Sequence, residues 1–405
     1  MINSLYISIT GMSAFRDQLS VTSNNIANSE TTGFKSSRVN FSDLLSQSIT
    51  RTSTNNIGSG VRVQSIGENW TQGTISTADS TTSLAINGYG MFTLKDADSG
   101  MTYYTRDGSF KFDKTGTLVN GDGLVVQGYS VKDNGQLGSL TDIKVSYDNS
   151  PPKATTKLST SVNLNSGAAS GDTFSTTTDI YDSLGNEIPV TITYTKSSTS
   201  NEWTWAASIP STDGSISSGS SGTLDFDSTG ALVSGTNPTF TLSLTNGAAS
   251  QTVTWNQYDT SGSTNGTLTQ YASDSAINDQ SQDGYTTGSV SSVAIDDSGY
   301  VVCSYSNGTT TRPFKVALAD FNNYNGLEKT DGNLYVSTND SGQAIMGSAD
   351  TGRMGSIKSS SKELSNVDLS SELGQLIVTQ TAFQACSRVF TTTNEILQTL
   401  VNLGK

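Results

Sequence analysis

Histidine is missing from all 405 residues. That removes the commonest metal ligand and the commonest general base together, so most metal-dependent and acid–base enzymes are disfavoured. Cysteine is nearly missing too. Cys303 and Cys386 are too few for a disulfide framework in so long a chain, and they read as buried free thiols. Hydrophobic residues make up 33% and charged residues 14%, both below ordinary globular usage. No stretch approaches the ~20 consecutive apolar residues of a membrane span. The first residues lack the basic region and unbroken apolar run of a secretory signal, which by these rules alone predicts a cytoplasmic protein. There is no phosphate loop, and Gly88-Tyr89-Gly90 does not continue into a dinucleotide fingerprint.

What fills the space is Ser, Thr, Asn and Gly, with 39 Gly against 6 Pro. This mixture favours short strands joined by many turns. The net charge of −14 argues against nucleic acid or an anionic membrane as partner. Acidic and basic residues nearly balance in 1–72 and in 366–405, so the excess belongs to the body between them. An acidic body with near-neutral ends suits ends that pack together while the body faces water.

Both ends carry a helical seam. Alternate steps of three and four give Ile2, Leu5, Ile9, Met12, Arg16, Leu19, Ser23 and Ile26 at the start. At the end they give Leu369, Leu373, Leu376, Gln380, Phe383, Ser387, Phe390, Asn394, Leu397 and Val401. These are heptad-like seams of the coiled-coil type. Ser365 or Asn366 is the candidate cap of the second helix, with Asp368 in its first turn. Each seam must bury itself against the other terminus or against copies of both from neighbouring molecules. The alternative is an ordinary helical pair closing one globular domain.

Between the ends the fold is predicted to be mainly β and multidomain. Residues 31–72 read as an extended joint, with a polar linker at 50–61. Strand signals then become dense. Asn87-Gly88 is predicted to turn Ser83–Ile86 into Met91–Leu94, and Arg106-Asp107-Gly108 to turn Tyr103–Tyr104 into Phe110–Phe112. Asn120 to Gly123 should turn Leu118–Val119 into Leu124–Val126. From 148 to 283 Ser, Thr and Gly dominate, yet Phe174–Tyr181, Ile188–Thr195 and Trp203–Ala207 read as strands of a separate sandwich or barrel. After 284 the denser pattern returns, with a turn at Asp296 to Gly299. The predicted plan is nested: 1–30 with 366–405 as a terminal helical domain, 73–147 with 284–358 as a host β-domain, and 148–283 inserted into it.

Candidate chemistry is sparse. Asp96 to Gly100 resembles a calcium loop only faintly, lacking the third ligand before its Gly and a Glu at the twelfth position, and reads better as a turn. Asp296-Asp297 and the acidic residues of 180–187 sit where turns call for Asp anyway. Trp203 and Trp205 share one strand face, where a core is the better reading than a sugar platform. No catalytic, cofactor or metal site is predicted.

The motifs at the ends do point somewhere. Asn24-Asn25-Ile26-Ala27-Asn28 followed by Thr31-Thr32-Gly33-Phe34-Lys35 resembles the N-terminal signature of the axial proteins of the bacterial flagellum, the rod and hook subunits. Phe41-Ser42-Asp43-Leu44-Leu45, Leu84 to Phe92, Tyr104 to Phe110 and Asn366 to Leu373 resemble further family segments. Phe321, Asn325 to Glu328 and Gly332 to Tyr335 resemble a shared loop, although Tyr324 stands where the family often has Pro. Rod subunits mostly lack a large inserted domain and hook subunits carry one, so 148–283 implies a hook subunit. The alternatives are a distal rod subunit, which the long polar stretch 46–60 resembles, or a secreted β-rich adhesin.

The resemblance implies a non-enzymatic structural role. It implies export through the flagellum's own type III apparatus, displacing the cytoplasmic default, and self-assembly into a helical polymer. Rod, hook-cap and hook–filament junction proteins are the implied partners. Leu5, Ile9, Met12, Leu19, Ile26, Leu369, Leu373, Leu376, Phe383, Phe390, Leu397 and Val401 are the expected assembly contacts. Without neighbours the ends are expected to be largely disordered. Gly33 permits unusual backbone angles, and Phe34 and Lys35 are expected to anchor the exit from the helix against a neighbour.

Overall fold

A long apolar-striped segment without proline is free to run as one helix, and each end of this chain does so. In a computed structural model, which describes residues 2–44, 58–132 and 134–403, helix α1 spans Ile2–Ala27 and helix α2 spans Leu369–Leu403. Leu45, residues 46–57 of the polar stretch 46–60, and Lys405 lie outside the described residues. The rest of the chain is mainly β. Two compact units divide it: Met1–Ser146, Val293–Cys303 and Thr311–Lys405 in one, Tyr147–Ser292 and Ser304–Thr310 in the other.

In the first unit α1 and α2 pack together. Asn25 meets Glu372, and a side chain at Gly11 would meet Cys386, so the helices run antiparallel. The joint segment is not a free linker. Strands β1 (Ser37–Asp43) and β2 (Val61–Glu68) pair antiparallel, with a register shift at Asn40/Phe41. This ribbon doubles back along α1: Ser37 bonds Asn25, Phe41 sits edge-on to Phe15 at 6.1 Å, and Val61 approaches Thr10.

The host sheet of this unit is built from strands Met91–Lys95, Thr102–Thr105, Val125–Val131, Thr310–Asp320 and Leu334–Val336. Two expected hairpins are replaced by longer-range pairing. Strand Leu84–Asn87 pairs with Ser356–Ser359, not with Met91–Lys95. Gly88 and Gly90 hold φ of +114° and +118°, away from the left-handed angles of a tight hairpin turn, and they carry the chain across to a new partner. Thr102–Thr105 pairs with Met91–Lys95 and Leu334–Val336, while Lys111–Phe112 pairs with Leu118–Val119. Around Gly108 the chain instead packs on Leu84: a Cβ there would meet the Leu84 carbonyl, and the Leu84 N–H donates to the Gly108 carbonyl at 2.9 Å. The turn at Asn120 to Gly123 does join Leu118–Val119 to Val125. Tyr324, at the departed proline position, opens a short 3-10 turn and packs its ring on Trp70 at 5.1 Å and Phe321 at 6.0 Å.

The second unit is a sandwich. One sheet holds Thr173–Tyr181, Glu187–Lys196, Glu202–Ser208 and Ser221–Asp225, and the other is centred on Lys157–Asn163, Thr239–Leu244 and Gln251–Trp255. Alternate residues of both sheets meet in one core that includes Ile192, Tyr194, Phe240 and Val253. Trp203 and Trp205 are buried in it, with Trp205 edge-on to Trp255 at 5.2 Å. The core reading of these tryptophans holds.

One local device recurs at the turns of both units. Asp113, Asp227 and Asp259 each accept the N–H groups two and four residues on and the hydroxyl two residues on. The Thr or Ser hydroxyl, then the backbone donors, hold each carboxyl below its ordinary pKa. At Asp182 burial pushes upward, but bonds from Asn186, Asn246 and Leu184 prevail and lower it. Asp96 bonds Asp98 N–H and Ser99 within its own turn.

Candidate assembly site at the joined termini

Every position of the Asn-rich signature has a definite place at the end of α1. The helix stops at Ala27, and the Asn28 N–H still reaches the Asn24 carbonyl at 3.1 Å. The Asn28 amide donates to the Asn24 carbonyl and side chain, and its oxygen accepts from Thr31, all near the surface. Asn25 behaves differently. It is buried, accepts from Ser37 N–H at 2.9 Å and donates to the Ser37 carbonyl at 2.9 Å. Its amide also donates to Glu372 at 3.1 Å. One side chain thus mimics a strand partner for the ribbon and ties it to both helices. Burial raises the Glu372 pKa, and the bond from Asn25 opposes that rise. Ile26 is half-buried, while Asn24 and Ala27 face outward.

Gly33 turns the chain inward at φ +66°, where a Cβ would lie 2.6 Å from Asp107 N. Its N–H donates to the Glu363 carbonyl at 2.8 Å. Phe34 and Lys35 then enter the chain's own interior, so the expectation that they reach a neighbour is corrected. The Phe34 ring is buried beneath the Lys329 ammonium at 4.5 Å. The Lys35 ammonium donates to Glu363 Oε1 at 2.7 Å and the Thr71 carbonyl at 2.8 Å. Burial lowers the Lys35 pKa, and Glu363 works against that shift. Gly73 N–H adds a bond to Glu363 Oε1 at 2.9 Å, and Arg106 lies 3.4 Å from Oε2. Nothing in the sequence marks Glu363 or Arg106 as partners of Lys35, because they are far apart along the chain.

The helices bury a different stripe from the one their large residues draw. On α1 the buried positions are Ser8, Gly11, Ala14, Thr22 and Asn25, and on α2 they are Thr379 and Thr393. Gly11 and Asn25 lie on a line displaced one residue from Met12 and Ile26, a rotation of about 100°. The large side chains are therefore left at best partly covered by the helix pair. Ile9, Leu369, Leu373, Phe383 and Val401 are exposed, and Leu5, Met12, Leu19, Ile26, Leu376, Phe390 and Leu397 are half-buried. Tyr6, Ile377, Val378, Val389, Ile396 and Leu400 extend the exposed set. Cys386 is half-buried between the helices, whereas Cys303 is buried. A cleft of about 730 Å³ opens between α1, the ribbon and the start of α2, lined by Gln18, Arg38, Phe41 and Glu372 among others.

A paired helical terminus that leaves a row of large apolar groups exposed, on a chain whose remainder is built of β-units with their own cores, defines a class: a mainly β subunit with exposed, joined terminal helices. Family models bear on which class member this is. Residues 5–35 match the flagella basal body rod protein model, 85–164 the flagellar hook protein FlgE/F/G D1 domain, 154–285 the flagellar basal body protein FlaE D2 domain, and 358–403 the flagellar basal body rod FlgEFG protein C-terminal model. The chain is 33% identical to the flagellar hook protein FlgE of Borreliella burgdorferi, covering 100% of both chains. It is 32% identical to that of Escherichia coli, covering 98% of both. A crystal structure of Helicobacter pylori flagellar hook protein FlgE2 shares the fold, with a TM-score of 0.52 and 17% identity over 70% of this chain and 99% of that one. The chain belongs to the flagellar hook protein family.

Proposed function

We propose that this chain is the structural subunit of the bacterial flagellar hook, a non-enzymatic protein that polymerises through its terminal helices into a tube joining rod to filament. The observation that carries the reading is the rotated helix pair. Small and polar residues line the buried stripe, and Leu369, Leu373, Phe383 and Val401 are left outward for copies of the same chain. Covering such side chains is worth about 1.5–3 kcal/mol each when burial is complete, so a ring of subunits gains what the monomer leaves unused. Leu5, Ile9, Met12, Leu19, Ile26, Leu376, Phe390 and Leu397 complete the assembly surface.

The division of labour follows. Residues 1–30 with 366–405 form the inner layer, 31–72 the joint, 73–147 with 284–358 the middle layer, and 148–283 the outer layer. Outer layers sliding on their neighbours would let the tube bend while carrying torque. Rod, cap and junction proteins meet the same terminal surfaces at the tube's ends, after export in an unfolded form. Helix ordering is completed as neighbours arrive.

Electron microscopy of concentrated protein tests this. Phe383→Asp should abolish tubes while both β-units keep their folded signature. Removing 148–283 should change curvature more than tube formation. Normal tubes from Phe383→Asp would overturn the reading.

A further inference from the structure

Glu363 stands at the centre of a buried ion cluster that joins four separate stretches of chain. Its Oε1 accepts from Lys35 Nζ and Gly73 N–H, and its Oε2 faces Arg106. The Lys35 and Glu363 side chains are 1% and 0% exposed, and Arg106 is 4% exposed. Arg106 also donates to the Gly88 carbonyl at 2.6 Å, while its Nε has no partner. The site thus holds two cations around one carboxylate. Glu68, paired with Lys329 at 2.9 Å, is the further negative group acting on Lys35.

Beyond Glu363, contacts between the two ends follow in strict order. Asn366 accepts from Ser36 N–H at 2.8 Å and donates to the Asn69 carbonyl at 2.7 Å. Glu372 then meets Asn25, and Cys386 lies at Gly11. Each step along α2 reaches a point further back along α1.

We infer that Glu363 is a closure latch, which makes docking of the N-terminal segment and α1 conditional on the C-terminal segment and starts the pairing of α2 along α1. Without this carboxylate the two buried cations keep only Glu68, which already pairs with Lys329, and a buried pair broken in this way is strongly destabilised relative to an open, solvated segment. Lys35 and Glu363 are 328 residues apart, so a chain made or delivered from its N-terminus holds the first partner long before the second. The paired-helix surface therefore exists only once the whole chain is present. This rests on the reading that the paired helices are the assembly surface, and it specifies when that surface forms.

Hydrogen exchange on the full-length monomer tests the latch. Glu363→Gln should accelerate exchange in 8–25 and 376–393 together by about a hundredfold, with 91–94 and 188–194 unchanged. Lys35→Met, which leaves Arg106 beside Glu363, should accelerate the same two stretches together by less. The latch is refuted if α1 keeps its protection in Glu363→Gln or if the helices respond separately. It is equally refuted if 91–94 accelerates as much as they do, since Glu363 is then only a core residue of its unit. Loss of tubes from a variant whose helices stay coupled would count against the proposed function alone.

Discussion

Replacing Asn25 with alanine removes three hydrogen bonds at once and tests whether the signature works through buried geometry or through surface polarity. The Ser37 N–H and carbonyl lose their side-chain partner, and Glu372 loses its donor. A buried polar group left without a partner costs about 1–3 kcal/mol. Ser37 and Glu372 are half-buried, so water recovers part of that, leaving a net loss of about 2–4 kcal/mol. Asn28→Ala is the matched control. Its bonds to Asn24 and Thr31 are exposed, so it should cost about 0.5 kcal/mol or less. Asn25→Asp sharpens the test, because it keeps an acceptor for Ser37 N–H but turns the other oxygen on a carbonyl and on the Glu372 carboxylate. At neutral pH it should cost at least as much as alanine, with relief in acid as the carboxyls protonate. Urea unfolding with segment-resolved hydrogen exchange over 8–25 reads all three. Equal costs for Asn25→Ala and Asn28→Ala would refute the reasoning.

Three further changes have expected outcomes. Gly33→Ala forces a Cβ against Asp107 N at a φ of +66°, and it should cost about 2 kcal/mol or more, read as a lowered urea midpoint of the first unit. Asp283 titrates at about 2: burial pushes it upward, but N–H groups of Lys157 and Thr156, the Thr156 hydroxyl and Lys153 outweigh that. Its folded pKa lies below the unfolded value of 3.8, so its contribution is complete above that value and is lost as pH falls towards 2. Asp283→Asn should therefore destabilise the second unit by at most about 2 kcal/mol at pH 6, by only a few tenths of a kcal/mol near pH 2, and less still below it. An equal effect at both pH values would contradict this. Trp255→Ala removes a fully buried ring and its bond to Thr160, costing about 3–5 kcal/mol in the second unit while hydrogen exchange in 91–94 stays unchanged.

The parts legible beforehand were those with local causes. Phe174–Tyr181 and Glu187–Lys196 pair across the Asp182 to Asn186 turn because alternation and turn chemistry agree within a few residues. Asn87-Gly88 and Arg106-Asp107-Gly108 gave equally good turn signals and formed no hairpin. Their flanking strands found stronger partners more than 200 residues away, at Ser356–Ser359 and Leu334–Val336. The recurring Asp-x-Ser/Thr-Gly turn was present in plain letters at Asp113, Asp227 and Asp259, and a search for repeats at turn length would have found it. At the assembly site the helices and their period of seven were visible, but the stripe was displaced. A pattern of large apolar residues marks where burial is wanted, without saying which molecule supplies it.

By itself the sequence determined the local grammar: two terminal helices, a β-rich body with an inserted stretch, and the unusual backbone at Gly33. Each depends on interactions within a few residues, which spacing and residue type record directly. Only the tertiary structure decided that Lys35 turns inward to Glu363, that Asn25 rather than Asn28 carries the joint, and that small and polar residues are the buried ones on the helices while Leu369, Leu373, Phe383 and Val401 stay exposed. Those outcomes turn on contacts hundreds of residues apart. Their energy comes from desolvation and from partners that no short stretch of chain contains.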